Sequence, residues 1–210
     1  MAYQFNGSTQ YLSVAQAIVT SPPISMSAWI NLNSVSTGNV ISIDNPADYT
    51  AYRIQIASGY LRAAVTTSNS DPFIYAQSTS TVSTGAWLHV AAVYSSSASR
   101  TIYFANQKAT NTDSISISNV TRTVIGATSG FNYVISQLIT GTIAEPAIWN
   151  VALTDAEIAS LAAGFTPDQI RPQSLQFYAP LVRNLIDVRG GRTITNVGSA
   201  TVATHPRIYS

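Results

Sequence analysis

Alternation with a period of two dominates the chain. In Ile24–Leu32 (ISMSAWINL), Ile24, Met26, Ala28, Ile30 and Leu32 share one parity, while Ser25, Ser27, Trp29 and Asn31 share the other. This pattern predicts a strand with one face in a core. Trp87–Tyr94 (WLHVAAVY) is apolar on both parities, which predicts a central strand covered on both sides. Arg100–Ala105 (RTIYFA) follows the turn-like SSSAS, and the two segments read as a hairpin. Shorter strands are expected at Asn39–Ile43, Tyr52–Ile56, Tyr60–Val65, Phe73–Ala76, Ser114–Ile117 and Thr123–Ile125, with strand-like pieces at Leu175–Leu181 and Thr193–Thr195. Short strands at this spacing, separated by Ser, Thr, Asn, Gly and Pro, predict an all-β sandwich or jelly roll. A length of 210 residues suits one such domain over the whole chain.

One segment breaks the period. Thr154-Asp155-Ala156-Glu157 has the form of a capping box, in which the threonine caps an amide three residues on and the glutamate reaches back. Ile158, Leu161, Ala162 and Phe165 follow at i, i+3, i+4 and i+7, so a short helix is expected with this stripe against the sandwich. Gly164 and Pro167 end it.

Composition narrows the function. Charged residues make up 9% of the chain, against about 25% in ordinary soluble domains. Ser, Thr and Asn take their place, giving a polar but nearly uncharged surface of the kind common on proteins that work outside cells. There is one lysine, Lys108, and no basic run that would track phosphates, which argues against nucleic-acid binding. The absence of cysteine excludes disulfides and thiolate chemistry. No apolar run approaches the ~18 residues of a membrane-spanning helix. The start, MAYQFNGSTQYLSV, has neither a basic flank nor an apolar core and does not read as a secretory signal. Charge is uneven: five basic and eight acidic side chains precede residue 171, after which Arg171, Arg183, Arg189, Arg192 and Arg207 face Asp187 alone. Arg183, Arg189, Arg192 and Arg207 are candidates for docking an acidic partner; solvated surface arginines are the plainer account.

Four stretches occur in a fixed order: FNGSTQYLSV (Phe5–Val14), ISMSAWINL, WLHVAAVY followed by RTIYFANQK, and GTIAEPAIWNVALTDAEIASL (Gly141–Leu161). Together they closely resemble the laminin G-like branch of the concanavalin A-like lectin/glucanase superfamily, and the resemblance implies an all-β, two-sheet antiparallel jelly-roll sandwich with one short helix. That branch shows Phe-Asn/Asp-Gly, Trp-x-His-Val-Ala, a hairpin ending near Asn-Gly, and a Gly-x-Ile strand leading to a short capped helix. Asn106-Gln107 departs from the Asn-Gly of the hairpin turn. The last segment, LQFYAPLVRNLIDVRGGRTITNVGSATV, resembles a stretch that in many family members precedes the Phe-Asn-Gly motif. Residues 173–204 are therefore expected to complete the same sandwich in permuted order, as close chain ends allow. The ending ATHPRIYS resembles the C-termini of small phage-associated proteins of this kind.

The candidate chemistry is sparse. Glycosidases need two opposed carboxylates ~5–10 Å apart, and the glucanase branch carries them as Glu-x-Asp-x-x-Glu on one strand. No such pattern exists here: Glu145 precedes Pro146 without an acidic neighbour two residues away, and Glu157 belongs to the capping box. A Ser-His-Asp site needs a positioned histidine; His89 lies mid-strand and His205 near the chain end, and a hydrogen-bonded structural imidazole is the favoured account of His89. The resemblance implies calcium as the metal, if any, with Asp44, Asn45 and Asp48 as ligands and Asp71 near; two aspartates fall short of a full oxygen shell, and Asp and Asn also form turns beside Pro46. For glycans, Tyr49, Tyr52 and Tyr75, with Asp48, are the surface candidates near loops. Trp29 is either a stacking platform or packed, and packing is favoured because the motif carries a tryptophan there whatever the ligand; Trp87 and Trp149 read as core. The resulting expectation is a non-enzymatic phage virion surface protein, for capsid decoration or adhesion to glycans. Its partners would be capsid or other virion proteins and further copies of itself, as a trimer or dimer. A stand-alone carbohydrate-binding lectin module is the alternative.

Overall fold

The computed structural model describes residues 2–67, 73–182 and 184–206. In chain order the strands are β1 (Ala2–Asn6), β2 (Tyr11–Val14), β3 (Ile24–Leu32), β4 (Gly38–Asp44), β5 (Ala51–Ala57), β6 (Tyr60–Thr66), β7 (Phe73–Thr81) and β8 (Leu88–Ser96). They continue with β9 (Ser99–Phe104), β10 (Gln107–Asn111), β11 (Arg122–Ile125), β12 (Thr128–Ser129), β13 (Ile135–Ser136) and β14 (Thr140–Trp149). A single α-helix, α1 (Asp155–Ala162), precedes β15 (Leu175–Tyr178), β16 (Thr195–Val197) and β17 (Thr201–Ala203). All ladders are antiparallel. One main sheet has eight strands in the order β10-β9-β8-β3-β14-β1-β17, with β15 also on β14; the other has seven, β16-β2-β11-β4-β5-β6-β7, and β12 and β13 pair separately. This is the two-sheet jelly-roll sandwich with one helix that the resemblance implies.

The apolar parity of each strand faces the space between the sheets. Met26, Ile30, Ile143 and Phe5 from one sheet meet Leu12, Ile41, Ile43 and Ile54 from the other, all fully buried. Tyr94 crosses this core: its hydroxyl donates to the carbonyl of Arg53 (2.6 Å) and accepts from the Arg53 amide (3.1 Å), and burial pushes its pKa up. A second apolar layer lies on the outside of the eight-stranded sheet, where Ala91, Val93 and Trp149 pack with Ile158 and Leu161 of α1. β8 is apolar on both parities because it is sandwiched between these two layers.

The motifs are local devices. Asn6 Oδ1 accepts from the amides of Ser8 (3.0 Å), Thr9 (3.0 Å) and Gln10 (3.2 Å), which turns the chain between β1 and β2. Gly141, at φ 152°, passes so close to β3 that a Cβ would lie 2.5 Å from the Asn31 carbonyl oxygen. The helix starts at a complete capping box, with Thr154 Oγ1 accepting from the Glu157 amide (3.3 Å) and Glu157 Oε2 accepting from the Thr154 amide (2.8 Å). The β9–β10 turn keeps its two-residue form without glycine: Ala105 and Asn106 take φ of 51° and 60°, as a type I′ turn requires.

Three expectations are corrected. Ser114–Ile117 forms no ladder; its Ile115 amide bonds the Ser97 carbonyl (2.9 Å), and Ile115 and Ile117 serve as a plug beneath the sheet edges. The helix ends at Ala162, so Phe165 lies beyond the stripe and is 48% exposed. Trp87 precedes β8 and is half-buried, whereas Trp149 is fully buried with its indole N–H donating to the Ile170 carbonyl (2.7 Å).

The C-terminal segment contributes to both sheets. β15 pairs with β14, β17 with β1, and β16 with β2. Asp187, fully buried, fastens it: its carboxylate accepts from the Tyr178 amide (3.1 Å) and pairs with Arg192 (2.6 Å).

Candidate functional site

Alternation that puts isoleucines in the core puts polar side chains on the opposite face of the seven-stranded sheet. Asn39, Ser42 and Asp44 of β4, Arg53 and Gln55 of β5, Arg62 and Thr66 of β6, and Phe73, Tyr75 and Gln77 of β7 share this outer face through the pairs Ser42↔Arg53, Arg53↔Ala64, Ala64↔Tyr75 and Arg62↔Gln77. The face divides into two halves.

Over β4 and β5 the segment 126–139 lies as a strap. Asp44 accepts from the Ser129 amide (2.7 Å), the Ser129 hydroxyl (3.1 Å), Thr128 Oγ1 (3.3 Å), Ser42 Oγ (3.2 Å) and Arg122 Nε (3.4 Å). Gln137 Oε1 accepts from Asn39 (2.8 Å) and Gln55 (3.0 Å). Arg53 donates to the Tyr49 carbonyl (3.0 Å) and Thr66 Oγ1 (2.5 Å). Burial pushes its pKa down to about 10 against the opposing pull of Asp44. Among the described residues, Asn39 Oδ1, Arg53 Nε, Gln55 Oε1 and Arg122 Nη2 are buried here without a partner.

Among the described residues, no strap lies over β6 and β7, and this half of the face is open. The rings of Phe73 and Tyr75 lie 5.2 Å apart, the Arg62 guanidinium sits 4.1 Å from the centre of the Tyr75 ring, and Arg62 Nε donates to Gln77 Oε1 (2.9 Å). All four side chains are half-buried. Tyr49, 36% exposed, borders this half, its carbonyl accepting from both Thr66 and Arg53. The rings of Phe73 and Tyr75 are tilted 45° to each other, with the guanidinium over the Tyr75 ring, so the group offers apolar ring surface for the C–H face of a sugar and donors and acceptors for its hydroxyls.

Of the predicted glycan residues, Tyr75 and Tyr49 lie at this surface. Tyr52 does not. It is 3% exposed in the core, edge-on to Tyr94 at 5.2 Å, and burial pushes its pKa up to about 12. The signal was in the sequence, since Tyr52 has the parity of Ile54 and Ile56. Parity also pointed to Phe73 and Gln77, which flank Tyr75 at two-residue spacing and were missed. Arg62 was missed because only cross-strand register brings it to Tyr75.

The calcium candidates do not make a shell. Asp44 is fully buried and already accepts five hydrogen bonds, all from the protein. Asn45 and Asp48 close their own turn, through Asn45 Nδ2 to Asp48 Oδ2 (3.3 Å), the Ala47 amide to Asn45 Oδ1 (3.1 Å) and the Thr50 amide to Asp48 Oδ1 (2.7 Å). Among the described residues, no group of three or more His, Asp or Glu side chains could hold a metal. Asp71 lies outside the described residues. The donors present do not fit calcium.

The remaining candidates are engaged in the fold. Glu145 sits at a bulge of β14 with φ 54°, is 2% exposed, and accepts from the Tyr178 hydroxyl and from His205 Nε2 (2.7 Å). His205, expected near a loose end, is thereby fixed against β14. Glu157 is held by Thr154 and by an ion pair with Arg171; although burial opposes it, these bonds lower its pKa. Arg192 is paired with Asp187 and donates to the Gln176 carbonyl (2.8 Å), and Arg189, exposed, donates through Nε to the Leu175 carbonyl (3.0 Å), so both tie the C-terminal segment to β15. Arg183 and Arg207 lie outside the described residues. Trp29 is half-buried on the outer face of the eight-stranded sheet, edge-on to His89 at 5.4 Å.

Comparison with known proteins agrees with this architecture. The chain belongs to the concanavalin A-like lectin/glucanases superfamily, whose laminin G model matches residues 6–159. Among solved structures, a Bacteroides ovatus protein provisionally assigned to carbohydrate binding superposes with a TM-score of 0.67 at 19% identity, covering 97% of this chain and 59% of that one. The CBM40 domain of the Ruminococcus gnavus IT-sialidase, bound to α2,3 sialyllactose, gives 0.60 at 11% identity over 77% and 96% of the two chains. The enzymatically active domain of tailspike protein 2 of bacteriophage CBA120 gives 0.53 at 15% identity over 77% of this chain and 27% of that one. At these identities the likeness is one of fold. The comparison with curated proteins gives no match.

Proposed function

We propose that the chain is a non-enzymatic glycan-binding domain that works on the surface of a phage particle, holding its ligand on the open half of the seven-stranded sheet. The observation that carries the glycan reading is the Phe73–Tyr75 pair with Arg62 and Gln77 beside it, on a face turned away from the core. The same fold in a carbohydrate-binding domain bound to sialyllactose supports it. The non-enzymatic reading rests on the engagement of both glutamates: Glu145 is buried between Tyr178 and His205, and Glu157 caps α1. The virion setting is supported by the nearly uncharged, hydroxyl-rich composition and by the shared sandwich of a phage tailspike. Assembly there would proceed through further copies of the chain, as a dimer or trimer, and through capsid or other virion proteins.

The test is a glycan array probed with the purified chain beside Tyr75→Ala and Arg62→Ala. Retention on at least one glycan that both variants lose is the expected result; retention untouched by both would remove the ligand from this face. Release of reducing ends from a retained polysaccharide would overturn the non-enzymatic reading. Failure to co-purify with phage particles at fixed stoichiometry would leave a stand-alone lectin instead.

A further inference from the structure

α1 and the β8–β10 strands enclose a cleft of about 300 Å³ on the outer face of the eight-stranded sheet. It is lined by His89 from β8, Tyr103 from β9, Asn106 and Gln107 from the β9–β10 turn, and Ile158 and Ala159 from α1. It lies on a different sheet from the Phe73–Tyr75 surface, and the two sheets meet at an edge where Gln107 Oε1 accepts from Thr79 and Ser80 of β7.

The chemistry of the lining is specific. His89 lines the cleft, and its Nε2 is buried with no hydrogen-bond partner among the described residues, a state that few polar atoms of a folded protein have. Burial pushes the His89 pKa from 6.5 down to about 3, so the ring is a neutral imidazole with one donor and one acceptor. Charge at the mouth is cancelled: Lys108 and Asp155 form an ion pair, and the Tyr103 hydroxyl donates to the same carboxylate (2.8 Å). Gln107 accepts from Ser80 through Oε1 (3.3 Å), leaving its amide N–H groups to donate. Apolar surface comes from the Tyr103 ring, Ile158 and Ala159. The site therefore disfavours ions and offers an aromatic wall, a neutral imidazole and side-chain amides. Its volume is at the small end of ligand pockets.

We propose that this cleft is a second ligand site that takes a single neutral pyranose ring, seated on Tyr103 and Ile158 with its hydroxyls toward Asn106 and Gln107, against the His89 imidazole. Such a ring matches the cleft in size, has an apolar face for Tyr103 and Ile158, and carries hydroxyls that both donate and accept. The site does not depend on the open face of the seven-stranded sheet, and either can exist without the other.

The experiment follows the carbon-bound ring protons of His89 by NMR in the full chain, titrated with methyl α-D-galactopyranoside, methyl α-D-glucopyranoside and N-acetyl-D-glucosamine. A saturable shift with at least one of them is expected, at millimolar Kd. Ala159→Trp, at an exposed helical position whose enlarged side chain fills the cleft, should weaken it at least about tenfold. If its unfolding midpoint drops, Ala159→Leu serves as the smaller block. Tyr75→Ala should leave the shift unchanged. Absence of a saturable His89 shift with all three sugars overturns the proposal. So does a shift that survives the blocked cleft, and a shift abolished by Tyr75→Ala assigns the binding to the other sheet.

Discussion

On the outer face of the seven-stranded sheet, β4 and β5 present Asn39, Ser42, Asp44, Arg53 and Gln55, while β6 and β7 present Arg62, Phe73, Tyr75 and Gln77. Both halves follow from the same alternation. The first is sealed by the strap of residues 126–139, and every one of its polar side chains bonds to another side chain or to the strap, although Asn39 Oδ1, Arg53 Nε and Gln55 Oε1 stay unpartnered among the described residues. The second has no such cover among the described residues and keeps its side chains half-exposed. A polar strand face is thus structural or available to ligands according to what folds over it. Under a cover each polar group must find a partner or cost about 1–3 kcal/mol; without a cover, water or a sugar can supply that partner.

The largest effect expected is on the covered half. Asp44→Ala strands Arg122, the Ser129 amide and three hydroxyls without their shared acceptor, and should cost about 3–5 kcal/mol in urea unfolding. Glycan retention by the molecules that remain folded should be unchanged. A loss under about 1 kcal/mol would mean that the strap is not held by this carboxylate.

The eight-stranded sheet offers a second covered polar group, His89. Its folded pKa of about 3 lies below the 6.5 of an exposed histidine. The unfolded chain therefore takes up the proton first, and stability that is complete above pH 6.5 is lost as pH falls toward 3. A loss of roughly 2–4 kcal/mol over that window is expected from this group. His89→Gln should flatten the corresponding part of the pH–stability curve. An unchanged curve in that variant would show the imidazole to be solvated.

On the open half the balance reverses. Tyr75→Ala should leave unfolding within about 1 kcal/mol of the parent and weaken glycan retention about tenfold. The smallest effect belongs to Tyr52→Phe. The Tyr52 hydroxyl lies in the core, so its removal should leave glycan retention unaltered and change stability by no more than about 1 kcal/mol. A fall in retention for Tyr52→Phe with none for Tyr75→Ala would invert the assignment of the two faces.

Much of the fold was legible in the chain. The capped start of α1, the strands of the sandwich and the double coverage of β8 all follow from periodicity and capping chemistry, which are local. Ser114–Ile117 shows the limit: its alternation is real, but no neighbouring strand lies in register with it, so the same apolar residues plug the core from a loop. Phe165 shows another: the apolar stripe runs on to it at i+7, but the helix ends at Ala162, before Gly164, and leaves it exposed.

The functional residues were legible in part. Residues 73, 75 and 77 share a parity that the sequence displays, and Tyr52 shares the parity of a core strand. What no local pattern contains is that Arg62 lies over Tyr75, that Ser129 reaches Asp44 across 85 residues, or that His205 closes on Glu145. The sequence by itself determined which side chains alternate toward the core and where the helix begins, since these depend on spacing along one chain. Only the tertiary structure decided which polar face was covered and which left open. That depends on where distant segments come to rest, and a strap over one half of a sheet has no signature in the strands beneath it.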